Sequence, residues 1–161
     1  MATASDTNRR AFHGWLDLSI SYKGACVMLH ALRKEGLGNR IQIVRDGAEA
    51  LDYIFRRGEF AQRDANGHPR IILLDLKLPK VDGLEVLRQI KADASARTIP
   101  VVVLTTSKEE SDMVRSYQLG ANSYLQKPVD FSAFMKMVKE IGFYWLMVNQ
   151  PLAETVAAAH R

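Results

Sequence analysis

Cysteine is nearly absent from this sequence: Cys26 is the only one in 161 residues. One thiol cannot close an internal disulfide, which makes the cytosol the expected compartment. No histidine or other base accompanies it in an evident catalytic pattern, so Cys26 reads as helix filler rather than a nucleophile. Long apolar runs are missing too. Residues 143–148 are continuously apolar, but a bilayer span needs about 20 such residues, so no membrane segment is expected. Residues 1–10 are polar and lack the apolar core of a secretory signal. An excess of charge of one sign is missing as well, with 22 basic residues against 18 acidic ones. The net charge is only +4, and no basic block interleaves with aromatics, so nothing points to nucleic acid. Repeats and low-complexity segments are absent. What is left is an ordinary globular composition, 47% hydrophobic and 25% charged, long enough for one domain and an extension.

The most informative stretch is Ile71-Ile72-Leu73-Leu74-Asp75-Leu76-Lys77-Leu78-Pro79. Four consecutive aliphatics without polar alternation predict a strand buried on both faces, as in the middle of a parallel sheet. Residues 101–104 repeat the pattern, and 41–44 and 123–126 supply shorter strands. A first strand is expected within 11–21, where Trp15, Leu16, Leu18 and Ile20 are interrupted by Gly14, Asp17 and Ser19. A helix over 22–35 follows, stopped by Gly36. Between the later strands lie helix signals. Asp46 with Glu49, Asp82 with Glu85, and Ser107 with Glu110 each fit a capping box, and Asp130 caps the last helix. The buried stripes are expected to be Leu51, Ile54 and Phe55, then Leu84, Leu87 and Ile90, then Met113, Val114 and Tyr117, then Phe131, Phe134, Met135, Val138 and Ile141. Strands alternating with helices predict βα units: an α/β fold with a doubly wound, five-stranded parallel sheet. Residues 1–14 are expected to be a disordered or irregular tail, 15–142 the domain, and 143–161 a helical C-terminal extension.

In such a sheet the carboxyl ends of the strands share one edge, where ligand crevices form. Asp75, Thr105 and Lys127 arrive there from three strands. A carboxylate, a hydroxyl and an ammonium around one point suit a phosphoryl group. The acid is the nucleophile, the lysine neutralises the phosphoryl oxygens and the threonine donates to one of them.

Leu73-Leu74-Asp75-Leu76-Lys77-Leu78-Pro79 with Asp82-Gly83, then Val103-Leu104-Thr105, then Lys127-Pro128, resemble in that order the receiver domain of two-component response regulators, the CheY-like family. The resemblance runs over about residues 31–141. Val44-Arg45-Asp46-Gly47-Ala48-Glu49-Ala50-Leu51-Asp52-Tyr53, the long loop after it and Gly142-Phe143-Tyr144-Trp145 look most like the small single-domain regulators paired with phytochrome-type histidine kinases. The resemblance implies a signalling protein rather than an enzyme. Asp75 would take a phosphoryl group from a kinase phosphohistidine. Thr105 and Tyr124 would be the switch pair, read out on the face made by the fourth helix, fifth strand and fifth helix. The Lys127-Pro128 peptide would be cis, so Pro128 is a cis-proline. Mg²⁺ would be held by Asp75, the Lys77 backbone carbonyl and two adjacent acids ending the first strand.

Those two acids are where the sequence departs from the family. Counting back without gaps, their positions hold Ser19 and Ile20, and Asp17 serves only if the strand slips by two residues, which preserves side-chain facing. Without the slip, Mg²⁺ binding is expected to be weak, and the alternative is a pseudo-receiver, the same interaction module with impaired phosphorylation. A haloacid-dehalogenase-like phosphatase using Asp75 would place a second Asp two residues on, where this chain has Lys77. Finally, six successive apolar residues at 143–148 would cover every side of a helix, of which one domain buries a single face. A symmetric homodimer through the fifth helix and the extension is therefore expected, the alternative being that the extension folds back onto its own domain.

Overall fold

The computed structural model describes residues 19–20 (backbone only), 30, 33–34, 36, 41–63 and 68–150. The expected tail at 1–14, Asp17, Cys26 and the arm after Pro151 lie outside the described residues, as does most of the helix expected over 22–35, within which His30, Arg33 and Lys34 are helical. The strands are β1 (Ser19–Ile20), β2 (Ile43–Val44), β3 (Ile72–Leu74), β4 (Val101–Thr105) and β5 (Ser123–Gln126). They form one parallel sheet in the order β2-β1-β3-β4-β5. The helices are α1 (Gly47–Phe55), α2 (Gly83–Ala92), α3 (Glu110–Gln118) and α4 (Phe131–Phe143). The last two are the fourth and fifth helices of the sequence reading. Among the described residues no helix is long and apolar enough to cross a membrane.

Alternation along the buried strands divides the core in two. Ile72, Leu74, Val101 and Val103 pack with Ala50, Leu51 and Ile54 of α1 and Val86, Leu87 and Ile90 of α2. Ile71, Leu73, Val102 and Leu104 face the opposite way, against Val138 and Ile141 of α4 and Leu146 beyond it. Both faces of the sheet are covered, which is why these strands read as unbroken aliphatic runs. Three of the expected caps form. Asp46 accepts from the Glu49 amide at 2.9 Å, Asp82 from Glu85 at 3.1 Å and Asp130 from Ala133 at 2.7 Å.

The region of α3 corrects the sequence reading twice. Its cap position is Glu109, which makes no side-chain capping bond. Ser107 instead donates from its hydroxyl to Asp112 Oδ2 at 2.7 Å. That bond turns Asp112 inward, together with Ser116 and Leu119 one and two turns on. Met113, Val114 and Tyr117 are rotated outward and exposed. Phe131 is likewise exposed, while Phe134, Val138 and Ile141 carry the contact of α4.

A polar clasp closes the other end of the sheet. Lys91 Nζ donates to the carbonyls of Arg97 at 3.1 Å and Ile99 at 2.7 Å, and to Asn122 Oδ1 at 3.2 Å. The same Asn122 oxygen accepts from the Val101 amide at 2.9 Å. The clasp thus ties α2 to the starts of β4 and β5. Burial pulls the Lys91 pKa from 10.5 down to about 8. The folded chain then releases this proton before the unfolded chain does, so stability rises with pH between about 8 and 10.5. Urea midpoints measured at pH 8 and pH 10 are expected to rise more for the wild type than for Lys91→Met. Parallel changes in the two proteins would contradict the assignment.

Candidate phosphoryl-transfer site

Asp75 directly follows β3, Thr105 ends β4 and Lys127 directly follows β5, so the strand order brings all three to the carboxyl edge. Lys127 Nζ donates to Asp75 Oδ2 at 2.7 Å. Their side chains are 11% and 16% exposed, a pair sunk into the edge yet reachable. The other carboxylate oxygen, Oδ1, accepts from the Lys77 amide at 3.1 Å. Each oxygen of Asp75 is therefore presented to a donor that also stabilises added negative charge. The Lys127 amide donates to the Thr105 carbonyl at 2.8 Å, which locks the two strand ends together.

The loop after Asp75 is tight. The Gly83 amide donates to the Leu76 carbonyl at 2.8 Å and the Val81 amide to the Pro79 carbonyl at 2.8 Å. A Cβ at Gly83 would collide with the Asp75 carbonyl oxygen, so glycine is what permits α2 to begin this close to the strand end.

Thr105 is fully buried, and its hydroxyl oxygen accepts from the Ser107 amide at 3.0 Å. The Ser107 hydroxyl accepts in turn from the Glu109 amide at 3.2 Å while donating to Asp112. Tyr124 pairs with Val103 across the sheet and lies on the same face as Thr105. Its hydroxyl is buried and, short of a well-formed hydrogen bond, interacts with the Ser107 side chain. Burial raises the phenol's pKa, and the Asp112 carboxylate pushes in the same direction against a smaller opposing effect of Ser107. Sequence reading missed the roles of Ser107 and Asp112. Their only signal is a hydroxyl two residues after Thr105 and an acid five residues further.

The Lys127-Pro128 peptide is trans, as are all described peptide bonds, which corrects the expected cis-proline at Pro128. Trans is the intrinsically favoured isomer even before proline, and Lys127 reaches Asp75 with it.

A hard divalent cation takes six or more oxygen ligands, commonly with one or two carboxylates among them. The expected set within the described residues is the Asp75 carboxylate and the Lys77 carbonyl. No cluster of three or more acidic, histidine or cysteine side chains occurs among the described residues. The backbone of Ser19 and Ile20 lies beside Leu73 and Leu74, immediately before Asp75. Neither residue is an acid, and Asp17 lies outside the described residues. The described donors thus fall short of a Mg²⁺ site by themselves.

A doubly wound parallel sheet with an acid–lysine pair at its carboxyl edge defines the class: a flavodoxin-like α/β domain with a strand-end anion site. The chain belongs to the response regulator receiver domain family, whose model matches residues 25–139. That match begins after Ser19 and Ile20. The chain is 48% identical over 126 residues to a probable methanogenesis regulatory protein, FilR2, of Methanothrix harundinacea, covering 78% of this chain and 79% of the relative. It is 42% identical over 115 residues to the response regulator Rcp1 of Synechocystis, covering 71% and 76%. A crystal structure of the phosphorylated cyanobacterial phytochrome response regulator RcpA superposes with a TM-score of 0.80 at 37% identity, covering 86% of this chain and 99% of that one. Rcp1 itself has been solved in a Mn²⁺-bound form, with a TM-score of 0.78 at 36% identity, covering 84% and 96%.

Because the buried Tyr124 hydroxyl makes no well-formed hydrogen bond and interacts only marginally with Ser107, its removal is expected to cost little. Tyr124→Phe should unfold in urea within about 0.5 kcal/mol of the wild type, or be more stable. A loss above about 1 kcal/mol would mean that the hydroxyl is satisfied in solution.

Proposed function

We propose that this chain is a response regulator whose Asp75 accepts a phosphoryl group from the phosphohistidine of a sensor histidine kinase of the phytochrome kind. The observation that carries this reading is the 2.7 Å contact of Lys127 with Asp75 at the carboxyl edge. In the transfer, an Asp75 carboxylate oxygen attacks phosphorus as the phosphorus–nitrogen bond to histidine breaks, and the imidazole leaves with the bonding electron pair. Lys127 then balances charge on the phosphoryl oxygens, and the Lys77 amide holds the carboxylate in place. Thr105 and Tyr124 act as the switch pair. Thr105 leaves its bond with Ser107 to donate to the phosphoryl group, and α3, β5 and α4 carry the change to a partner. The phytochrome assignment draws on the likeness to RcpA and Rcp1.

A second reading, an interaction module with impaired metal-dependent phosphorylation, is favoured by one observation. Asp75 is the single carboxylate among the site residues described, in a family expected to hold Mg²⁺ with a first-strand acidic pair. Labelling with acetyl phosphate and Mg²⁺ separates the two readings. The wild type is expected to take label and Asp75→Asn to take none. Label that survives in Asp75→Asn contradicts the acceptor assignment, and an unlabelled wild type favours the second reading.

Assembly into a symmetric homodimer through α4 and the residues after it completes the proposal. Phe143, Tyr144, Met147 and Val148 are exposed, whereas Leu146 is buried and Trp145 half-buried against the α4 side of the sheet. Burying one large apolar side chain contributes roughly 1.5–3 kcal/mol, so four together favour association against its entropic cost. Since Leu146 belongs to the core, the informative variant keeps it and replaces exposed residues: Phe143→Glu with Met147→Glu. Sedimentation is expected to give a dimer for the wild type and a monomer for this variant. A monomeric wild type would sink the dimer.

A further inference from the structure

Asp46 serves two purposes with two oxygens. Oδ1 accepts from the Glu49 amide and caps α1, while Oδ2 pairs with Lys80 Nζ at 2.7 Å. Asp46 is 13% exposed and Lys80 67%, so the lysine reaches in from solvent to a carboxylate already anchored. Beside it, the Gly47 amide donates to the Pro79 carbonyl at 3.2 Å. A Cβ at Gly47 would collide with the Val81 carbonyl, so the start of α1 lies directly against residues 79–81. Lys80 itself has φ of +64°, a left-handed conformation that a lysine adopts only where its surroundings hold it.

Two contacts from the end of β2 therefore grip the loop that follows Asp75. β2 and β3 are not neighbours in the sheet, because β1 runs between them. With strands about 4.8 Å apart, the grip spans about 10 Å over the carboxyl end of β1. At the loop's far end the Gly83 amide is bound to the Leu76 carbonyl. Lys77 lies between the held residues Leu76 and Pro79, and its amide sits on Asp75 Oδ1.

We infer that Asp46 and Lys80 form an electrostatic latch that positions the Asp75 loop, keeping the Lys77 amide on the Asp75 carboxylate. Both are positioning residues that act through Pro79 and Lys77, and neither touches the transferred group. The functional part of this inference rests on the reading of Asp75 as phosphoacceptor. The plainer account is that Asp46 only caps α1 and Lys80 is a surface residue. The two accounts separate because cap and latch use different oxygens. Asp46→Asn keeps an oxygen for the cap and loses the charge. Lys80→Met removes the ammonium without touching the cap, and Lys80→Arg restores a cation.

The test uses the full chain and two readouts, amide hydrogen exchange at Gly47 and Lys77 by NMR, and the rate at which acetyl phosphate labels Asp75. An exposed ion pair biases an equilibrium by about fivefold at most. Lys80→Met and Asp46→Asn should therefore speed exchange at both amides, and slow labelling, by about three- to fivefold. Lys80→Arg should return both readouts to wild-type values, and the urea midpoint should stay nearly constant throughout. Wild-type exchange at Gly47 and Lys77 in Lys80→Met overturns the latch, and so does full-rate labelling despite faster exchange. If the wild type takes no label while exchange responds as described, the latch stands and the phosphoacceptor reading falls instead.

Discussion

The ion pair between Lys127 and Asp75 is the interaction on which the rest of this architecture converges. Two charges this near the interior offset each other's desolvation cost, and removing either would leave the other poorly compensated. Bringing them together requires β3 and β5 to end on the same edge with β4 between them. That in turn requires parallel strands and helical crossovers long enough to return the chain. The aliphatic runs 71–74 and 101–104 drive the arrangement by burying both faces of the sheet. The same burial leaves their carboxyl ends as the first places where polar groups can collect. Chemistry at the edge is thus a consequence of hydrophobicity in the middle.

The edge is also held from several directions. Lys127 and Thr105 are tied through the main chain, Lys77 to Asp75 through an amide, and Pro79 to Gly47 across β1. At the opposite end of the strands the Lys91 clasp fixes where β4 and β5 begin. A phosphoryl group arriving at Asp75 would enter a site whose donors are already aimed, so little reorganisation is needed to stabilise its charge. Less is built on the α3 side. There Thr105 and Tyr124 share a face, one hydroxyl bound to a main-chain amide and the other without a well-formed hydrogen bond. Two hydroxyls with this imbalance suit a segment that rearranges.

Features set by local chemistry were legible in the sequence. The caps at Asp46, Asp82 and Asp130 form because an Asp oxygen needs only the amide three residues on. The two central strands were legible because burial on both faces leaves no polar alternation. β1 was visible only as a poor pattern over 11–21, yet Ser19 and Ile20 take their place between β2 and β3. Partners on both sides outweigh weak local propensity there. The inward face of α3 was misread because it is chosen by the bond from Ser107 to Asp112 rather than by the apolar stripe of Met113, Val114 and Tyr117. Asp75 and Lys127 could be paired in advance because both end strands. Asp46 and Lys80 could not, because their contact joins the loops after β2 and β3, two strands that β1 separates in the sheet.

The proposed function stands on one bond, between an Asp75 carboxylate oxygen and phosphorus. Its most direct test is to treat the intact protein with acetyl phosphate, trap the acyl phosphate with borohydride and locate the product by peptide mass spectrometry. The reduction converts a phosphorylated aspartate to homoserine. The account predicts homoserine at position 75 and unmodified aspartate at Asp46, Asp82 and Asp112. An intact Asp75, with homoserine elsewhere or at no position, would contradict it.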